Sequence, residues 1–149
     1  MAAPGPWTPF NDFKNNLGLK LINLATDTFK VILVTSASNA LSASLVSANY
    51  ATVTNELSTA NGYTAGGVTV GSDSWTGGGA TATSTFDVAD ATWTASGAGF
   101  TARGAVLYSD TSTSKNLIAF ALLDSTPADV TVASGNTLTL QIANVFTLA

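Results

Sequence analysis

The sequence predicts a mainly β protein, an antiparallel β-sandwich of jelly-roll type with an extended N-terminal arm and one N-terminal α-helix. From residue 28 onward, short segments rich in β-branched and aromatic residues recur along the chain. Turn signals such as Asn61-Gly62 separate them at intervals of roughly ten residues, which is typical of antiparallel sandwiches and barrels. One segment near the N-terminus instead has apolar residues at spacings of three and four, which indicates a helix.

The arm is predicted over residues 1–8, where Pro4 and Pro6 favour an extended backbone that ends at Trp7. Trp7 has two interpretations. It folds back onto its own domain, or it docks on a neighbouring subunit, since aromatic anchors contribute much of the energy of an interface. In the second case, loss of residues 1–8 weakens assembly and leaves the melting temperature nearly unchanged.

The helix is predicted over residues 9–24, with Thr8 as its N-cap and Pro9 at the favoured first position. One apolar stripe runs along it: Phe10, Phe13, Leu17, Leu21 and Leu24. Its opposite face is rich in asparagine and poor in basic residues, so the stripe predicts a core or subunit contact and not a membrane face. The candidate interface residues are therefore Trp7, Phe10, Phe13, Leu17 and Leu21.

A single domain is predicted over residues 9–149. After the helix, the apolar run in 28–35 predicts a buried strand. Residues 36–59 have a mixed period and predict a loop, with a helical turn near 50–57. Further strands are predicted at 68–70, 81–88, 91–95, 100–108, 117–123, 130–132 and 137–142, and a last apolar patch lies at 145–148.

The low charge of the chain indicates what its surface is in contact with. Charged residues make up 9% of the sequence, against roughly 25% in an ordinary soluble domain, while hydrophobic residues make up 46%. Mean hydropathy is +0.31. Two such surfaces repel each other weakly, which predicts that part of the protein surface is buried in contacts with neighbouring subunits. The alternative is a monomer coated in threonine and serine.

Composition also excludes several function classes. The chain has no cysteine and no histidine, so disulfides, Cys/His zinc sites and nucleophile–histidine pairs are impossible. Its five basic residues are scattered and its net charge is -4, which argues against nucleic-acid binding. No segment approaches the ~20 apolar residues of a membrane span. The first residues lack the features of a signal peptide, so we expect synthesis in a cytoplasm without export by that route. We expect no enzymatic activity and no cofactor.

Binding sites remain as hypotheses. Tyr63 and Trp75 stand near glycine-rich bends and can form a platform for a sugar ring, although aromatic residues serve core and interface packing equally well. Asp87 with Asp90, or Asp110 with nearby carbonyls, offers oxygen ligands of the kind that Ca²⁺ prefers. The alternative is that these aspartates only stabilise turns. Two aspartates converging across a cleft would be needed for glycoside hydrolysis, and nothing in their spacing requires it. Trp93 is predicted to be core.

Several segments together carry a family resemblance. The helix start at Trp7-Thr-Pro-Phe10 leads into the strand at 28–34. The stretch Asn61-Gly-Tyr-Thr-Ala-Gly-Gly67 follows, and then Ala91-Thr-Trp-Thr-Ala-Ser96 and Ala105-Val-Leu-Tyr-Ser-Asp110. This combination resembles a group of small virion structural proteins of tailed bacteriophages, from about Pro9 to the last residue.

The resemblance implies a virion component without a catalytic motif, assembled in the host cytoplasm. It implies most specifically a capsid cement or decoration protein that forms a trimer on the outer capsid and stabilises the shell. Its partners would then be copies of itself and the major capsid protein, with no nucleic acid and no membrane. A tail or head–tail component, or a glycan- or receptor-binding module, remains the alternative.

Overall fold

A computed structural model describes residues 4–71 and 73–149, and within them the chain is mainly β with antiparallel pairing. This confirms the part of the prediction that called for a mainly β, antiparallel fold. The first part contains β1 Thr8–Pro9, α1 Asn11–Gly18, β2 Phe29–Val34, β3 Val68–Val70, β4 Ser74–Gly77, β5 Ser84–Asp87 and β6 Ala91–Thr94. The second contains β7 Phe100–Ala102, β8 Gly104–Ser109, β9 Leu117–Leu122, β10 Val130–Val132, β11 Thr137–Leu140 and β12 Phe146–Leu148. Two short 3-10 helices lie at Asn39–Leu41 and Tyr50–Thr52.

A five-stranded sheet with the order β1-β9-β8-β2-β3 forms the centre of the molecule. Every residue of β8 is buried, so this sheet is covered on both faces. On one face, Phe29 of β2 packs against Phe86 of β5, with 5.1 Å between ring centroids. On the other, Tyr108 of β8, which lies opposite Lys30, stacks on Tyr50. Adjacent residues in a strand point to opposite faces. We call the side of Phe29 the front face and the side of Tyr108 the back face.

The remaining strands form a three-stranded sheet, β12-β5-β4, and two ribbons, β11-β6 and β10-β7. Their exposed positions are often threonines that lie directly opposite one another. The paired hydroxyls are Thr85–Thr147 at 3.3 Å, Thr94–Thr137 at 3.2 Å and Thr101–Thr131 at 2.9 Å. Cross-strand threonine pairs of this kind stabilise sheets. They occupy surface positions that other proteins give to charged pairs, which accounts for part of the low charge.

The helix is much shorter than the sequence predicts, and the predicted bounds of 9–24 were wrong at both ends. Thr8 and Pro9 pair with β9 as a strand, so the helix begins after Phe10 and has no side-chain cap. It ends at Gly18, and Lys20 has a left-handed backbone with φ 59°. Beyond Gly18 the stripe residues are no longer helical: Leu21 is half exposed, and Leu24 is buried in the core from an irregular segment. Tertiary pairing therefore overrides the local signal at both termini.

The N-terminal segment is extended, but from residue 4 on it belongs to its own domain; residues 1–3 of the predicted arm lie outside the described part. The amide N–H of Gly5 donates to the carbonyl of Leu122 at 2.9 Å, and that of Phe10 to Ile118 at 3.0 Å. Trp7 is half-buried against the chain's own core. Pro6 and Pro9 have no N–H, which makes the outer edge of this segment a poor template for another strand. The structure thus favours the interpretation in which Trp7 folds back.

Deletion of residues 1–8 should therefore destabilise the domain, contrary to the behaviour expected of a free arm. We expect a loss of about 2 kcal/mol, or roughly 4–8 °C in Tm, because the Trp7 contacts and the pairing with β9 are removed. Calorimetry of the truncated and full chains checks this, with Lys14→Ala on the exposed helix surface as control. An unchanged Tm would show that the segment contributes nothing to its own domain.

Candidate functional site

An apolar surface lies where α1 ends beside the three-stranded sheet, and we call it the apolar rim. We assign to it Leu17 and Trp75, which line one groove together, Leu19 and Leu21 in the segment that leads from α1 to that groove, and Leu148 on β12 of the three-stranded sheet. Leu19 is 60% exposed, Leu21 50%, Leu148 42% and Trp75 36%. A groove of about 340 Å³ runs through the rim, lined by Leu17, Lys20, Ile22, Asn23, Leu24, Ala25 and Trp75. Large apolar side chains at this density on a surface are typical of an interaction site.

The rim exists because the chain leaves an aromatic layer incompletely covered. Trp75, Phe86 and Phe146 lie side by side on neighbouring strands of the three-stranded sheet. Phe86 is fully buried, and Phe146 contacts Phe13 of α1 with 5.0 Å between ring centroids. α1 ends at Gly18, and the residues that follow it line a groove beside Trp75 and leave it 36% exposed. The aromatic layer is therefore open to solvent at this end.

The five candidate interface residues separate into two groups. Phe10 and Phe13 are buried in the chain's own core, so a partner cannot reach their side chains, and for them the interface assignment needs correction. The reason is that they face the Phe120 and Phe146 rings. Leu17 and Leu21 belong to the rim, and Trp7 is half-buried. Leu19 was not singled out from the sequence, since it falls outside the stripe that a continuous helix would present.

A second notable feature is a polar cluster on the back face, which brings together all three tyrosines and the one glutamate of the chain. The hydroxyl of Tyr50 donates to Oε2 of Glu56 at 2.7 Å. The hydroxyl of Tyr63 and the amide of Gly66 both donate to Oε1, each at 2.7 Å. Tyr108 donates to the carbonyl of Gly66 at 2.9 Å. The Glu56 carboxylate thus fastens three parts of the 50–66 segment together.

Two local backbone features place this cluster. Asn61 and Gly62 both have positive φ, 54° and 91°, and paired hydrogen bonds between residues 60 and 63 close a two-residue hairpin turn. The turn directs Tyr63 inward. At Gly67, φ is 72° and an added Cβ would lie 2.0 Å from the carbonyl oxygen of Val31. Only glycine lets the segment approach β2 so closely.

The hydrogen bonds among Tyr50, Glu56, Tyr63, Gly66 and Tyr108 hold the 50–66 segment in place, and we call this cluster the clamp. Burial and the hydrogen bond to Glu56 raise the pKa of Tyr50 to about 12. The same two causes raise the pKa of Tyr63, and burial together with the charge of Asp110 raises that of Tyr108. The phenols therefore keep their protons at neutral pH, and Glu56 is occupied by three donors. The arrangement holds the segment in place and presents neither an activated nucleophile nor an unoccupied base.

These raised pKa values predict the behaviour of the protein in alkali. An unfolded tyrosine ionises near its ordinary pKa of 10.0, whereas folded Tyr50 holds its proton to about 12. Between these values the unfolded state loses protons that the folded state keeps, so stability falls as pH rises through this window. We expect tyrosinate absorbance at 295 nm to appear only together with the loss of native circular dichroism. A tyrosine that ionises near pH 10 in a still native protein would contradict this.

The proposed sugar platform of Tyr63 and Trp75 does not form. Tyr63 is only 2% exposed and lies on the back face, whereas Trp75 belongs to the apolar rim and packs near Phe146. The sequence could not show this separation, because each residue stands beside a turn signal: Tyr63 follows Asn61-Gly62, and Trp75 precedes the glycines at 77–79. Trp93 is buried, as predicted for a core residue, and its indole N–H finds no hydrogen-bond partner among residues 4–71 and 73–149.

The aspartates considered as calcium ligands have other partners. One oxygen of Asp87 accepts from the amides of Val88 and Asn144, and one of Asp90 accepts from Ile142 at 2.8 Å, which fastens the C-terminal segment. Asp110 pairs with Lys115 at 2.7 Å and with Lys30 at 3.1 Å. Lys115 chiefly holds the pKa of Asp110 below its usual value. Within residues 4–71 and 73–149, no three acidic side chains form a group suited to a metal ion.

Comparison with known proteins assigns no family to this arrangement. Among the helices of the described residues, none has the length and apolar character needed to cross a bilayer. No protein-family model matches the chain, and neither a curated protein nor a solved structure shows significant similarity to it.

Proposed function

We propose that this chain is a non-catalytic structural protein that associates with copies of itself through the apolar rim. The single observation that carries this proposal is the exposure of Trp75 in an open groove, with Leu19 and Leu21 exposed in the adjoining segment. Removing such side chains from water contributes about 25 cal/mol per Å² of apolar surface. A partner that covers the open aromatic layer therefore buries apolar surface that a single chain leaves in contact with water, and this burial stabilises the complex.

The partner that the rim fits best is a second copy of the chain. With charged residues at 9% and a net charge of -4, two copies repel each other weakly when they meet. If the rim of each copy contacts a different surface of the next copy, the copies form a closed ring when the rotation between neighbours divides a full turn evenly. The specific expectation of a trimer comes from the resemblance to phage virion proteins.

The specific form of the proposal is a capsid cement or decoration protein of a tailed bacteriophage. In that role the trimer sits on the outer capsid, with the major capsid protein as its second partner. The clamp at Glu56 and the backbone partners of Asp87 and Asp90 support a structural use of these carboxylates. We also propose that the sheets enclose their core as a jelly-roll-like sandwich, supported by the contact between Phe29 and Phe86.

Image reconstruction of purified particles tests the location. We expect density for this domain at junctions between shell subunits, with a rotational axis relating its copies. Density confined to the tail or to the head–tail connection would assign the same self-associating chain to the alternative position. Particles that carry no copy of the domain would rule out a virion role.

A further inference from the structure

The three-stranded sheet β12-β5-β4 has two open edges. β4 and β12 are its outermost strands, and in the described part of the chain each of them pairs with β5 alone. Trp75, Thr76 and Gly77 of β4 are exposed, and so are Thr147 and Leu148 of β12. Outermost strands present unpaired backbone N–H and C=O groups, which are a template for a further strand.

One hydrogen bond shows which backbone groups point away from the sheet. The amide of Val145 donates to the carbonyl of Phe86 at 2.8 Å, so the backbone of Phe86 bonds toward β12. Trp75 lies opposite Phe86 on β4, and its own N–H and C=O therefore point outward. Because the bonding direction alternates along a strand, Thr85 bonds toward β4, and Thr147 opposite it points outward from β12.

Neither edge carries a lysine or a proline, the residues with which proteins commonly block edge pairing. Residues 74–79 read Ser-Trp-Thr-Gly-Gly-Gly, and residues 145–149 read Val-Phe-Thr-Leu-Ala. The edge formed by the N-terminal segment differs, since Pro6 and Pro9 lie there. Both edges of the three-stranded sheet are thus able to accept another strand.

The two edges also complement each other. β4 and β12 both run antiparallel to β5, so they run parallel to each other. Trp75 and Phe146 both lie opposite Phe86 and share its face, and Leu148, two residues further on, lies on that face too. When β4 of one copy lies beside β12 of the next, the apolar side chains of both strands therefore remain on one face. A pairing of two β4 strands would leave every β12 edge open.

We propose that β4 of one copy pairs as a parallel strand with β12 of the next copy, so that their three-stranded sheets form one continuous sheet. This inference rests on the proposed self-association and names the backbone contact within it. Trp75 and Leu148, the rim residues on these two strands, meet at the junction. Both strands are short, so the backbone pairing is marginal without the burial of the rim beside it. Each copy uses both edges, which a closed ring permits.

Disulfide trapping tests this contact, because the chain has no cysteine of its own. The first variant combines Thr76→Cys with Thr147→Cys, two exposed positions on either side of Thr85. Within one chain they are two strand spacings apart, about 9–10 Å. A disulfide needs Cα atoms within about 7 Å, so these cysteines can be linked only between copies.

Two further variants cover registers shifted by two residues, the shift that keeps the same face. They combine Thr147→Cys with Ser74→Cys or with Gly78→Cys. The control combines Thr147→Cys with Val46→Cys, since Val46 is 80% exposed and lies on neither strand. Each full-length variant, together with the single variants Thr76→Cys and Thr147→Cys, is oxidised with copper phenanthroline, and its mass is read from a non-reducing gel.

We expect at least one of the three edge variants to form covalent trimers, while the control and both single variants remain single chains. Covalent dimers of Thr76→Cys alone would show β4 pairing with itself and would overturn the proposal. Assemblies in which none of the three edge variants is linked would overturn it as well, and would leave association through the apolar rim standing. A wild-type chain that stays monomeric would overturn it together with the self-association on which it rests.

Discussion

Replacing Glu56 with alanine should lower the free energy of unfolding by about 3–5 kcal/mol. The carboxylate accepts hydrogen bonds from Tyr50, Tyr63 and the Gly66 amide. Removal of the carboxylate leaves the two phenol hydroxyls and the Gly66 amide without their acceptor. Each unsatisfied buried group costs about 1–3 kcal/mol. Tyr63 is affected most, since it is only 2% exposed.

Urea denaturation followed by circular dichroism measures this loss. Glu56→Gln should fall between the wild type and Glu56→Ala, because the amide keeps one acceptor oxygen but presents N–H groups to the second phenol. Asp124→Ala is the control, since that carboxylate bonds only to neighbouring Thr126 on an exposed turn. A loss below about 1 kcal/mol in Glu56→Ala would show that the cluster does not fasten the segment.

The double change Leu19→Glu with Leu21→Glu should abolish self-association and leave the folded chain intact. Both side chains are at least half exposed in the single chain, so charging them costs its own fold little. In an assembled rim the two carboxylates would be buried without partners, at a cost of several kcal/mol. We expect the association constant to fall by at least about a hundredfold.

Val46→Glu is the matched control for this experiment. Val46 is the most exposed large apolar side chain, at 80%, and it lies outside the rim. Light scattering after gel filtration should show monomers for the double variant and wild-type assemblies for Val46→Glu. If both variants assemble like the wild type, the apolar rim is not the contact between copies.

Sequence patterns predicted the strands well where one face is buried and the other exposed. Ala91–Thr94 and Thr137–Leu140 alternate cleanly, and in both strands every second residue is an exposed threonine. The pattern failed at α1, because a helical stripe cannot show where packing surface ends. Phe13 reaches that surface and Leu21 does not, although both occupy the same stripe.

The candidate sites were harder to predict, for a physical reason. Trp75 and Leu21 were both singled out, yet only the folded chain shows that the neighbours of Leu21 in sequence line a groove together with Trp75. The clamp joins Tyr50 and Glu56 of one loop segment to Tyr108 of a distant strand, and polar residues in loops show no periodicity from which such contacts could be predicted. Of its parts, the Asn61-Gly62 turn and a helical turn near 50–57 were predicted from the sequence, and Tyr63 was singled out, although for a different role.

Sedimentation equilibrium of the wild-type chain over a wide concentration range tests the central claim most directly. If the apolar rim joins copies of the chain as proposed, the mass should converge on about 45 kDa, three times the 15.0 kDa of one chain. A single species of 15.0 kDa at every concentration would contradict the account.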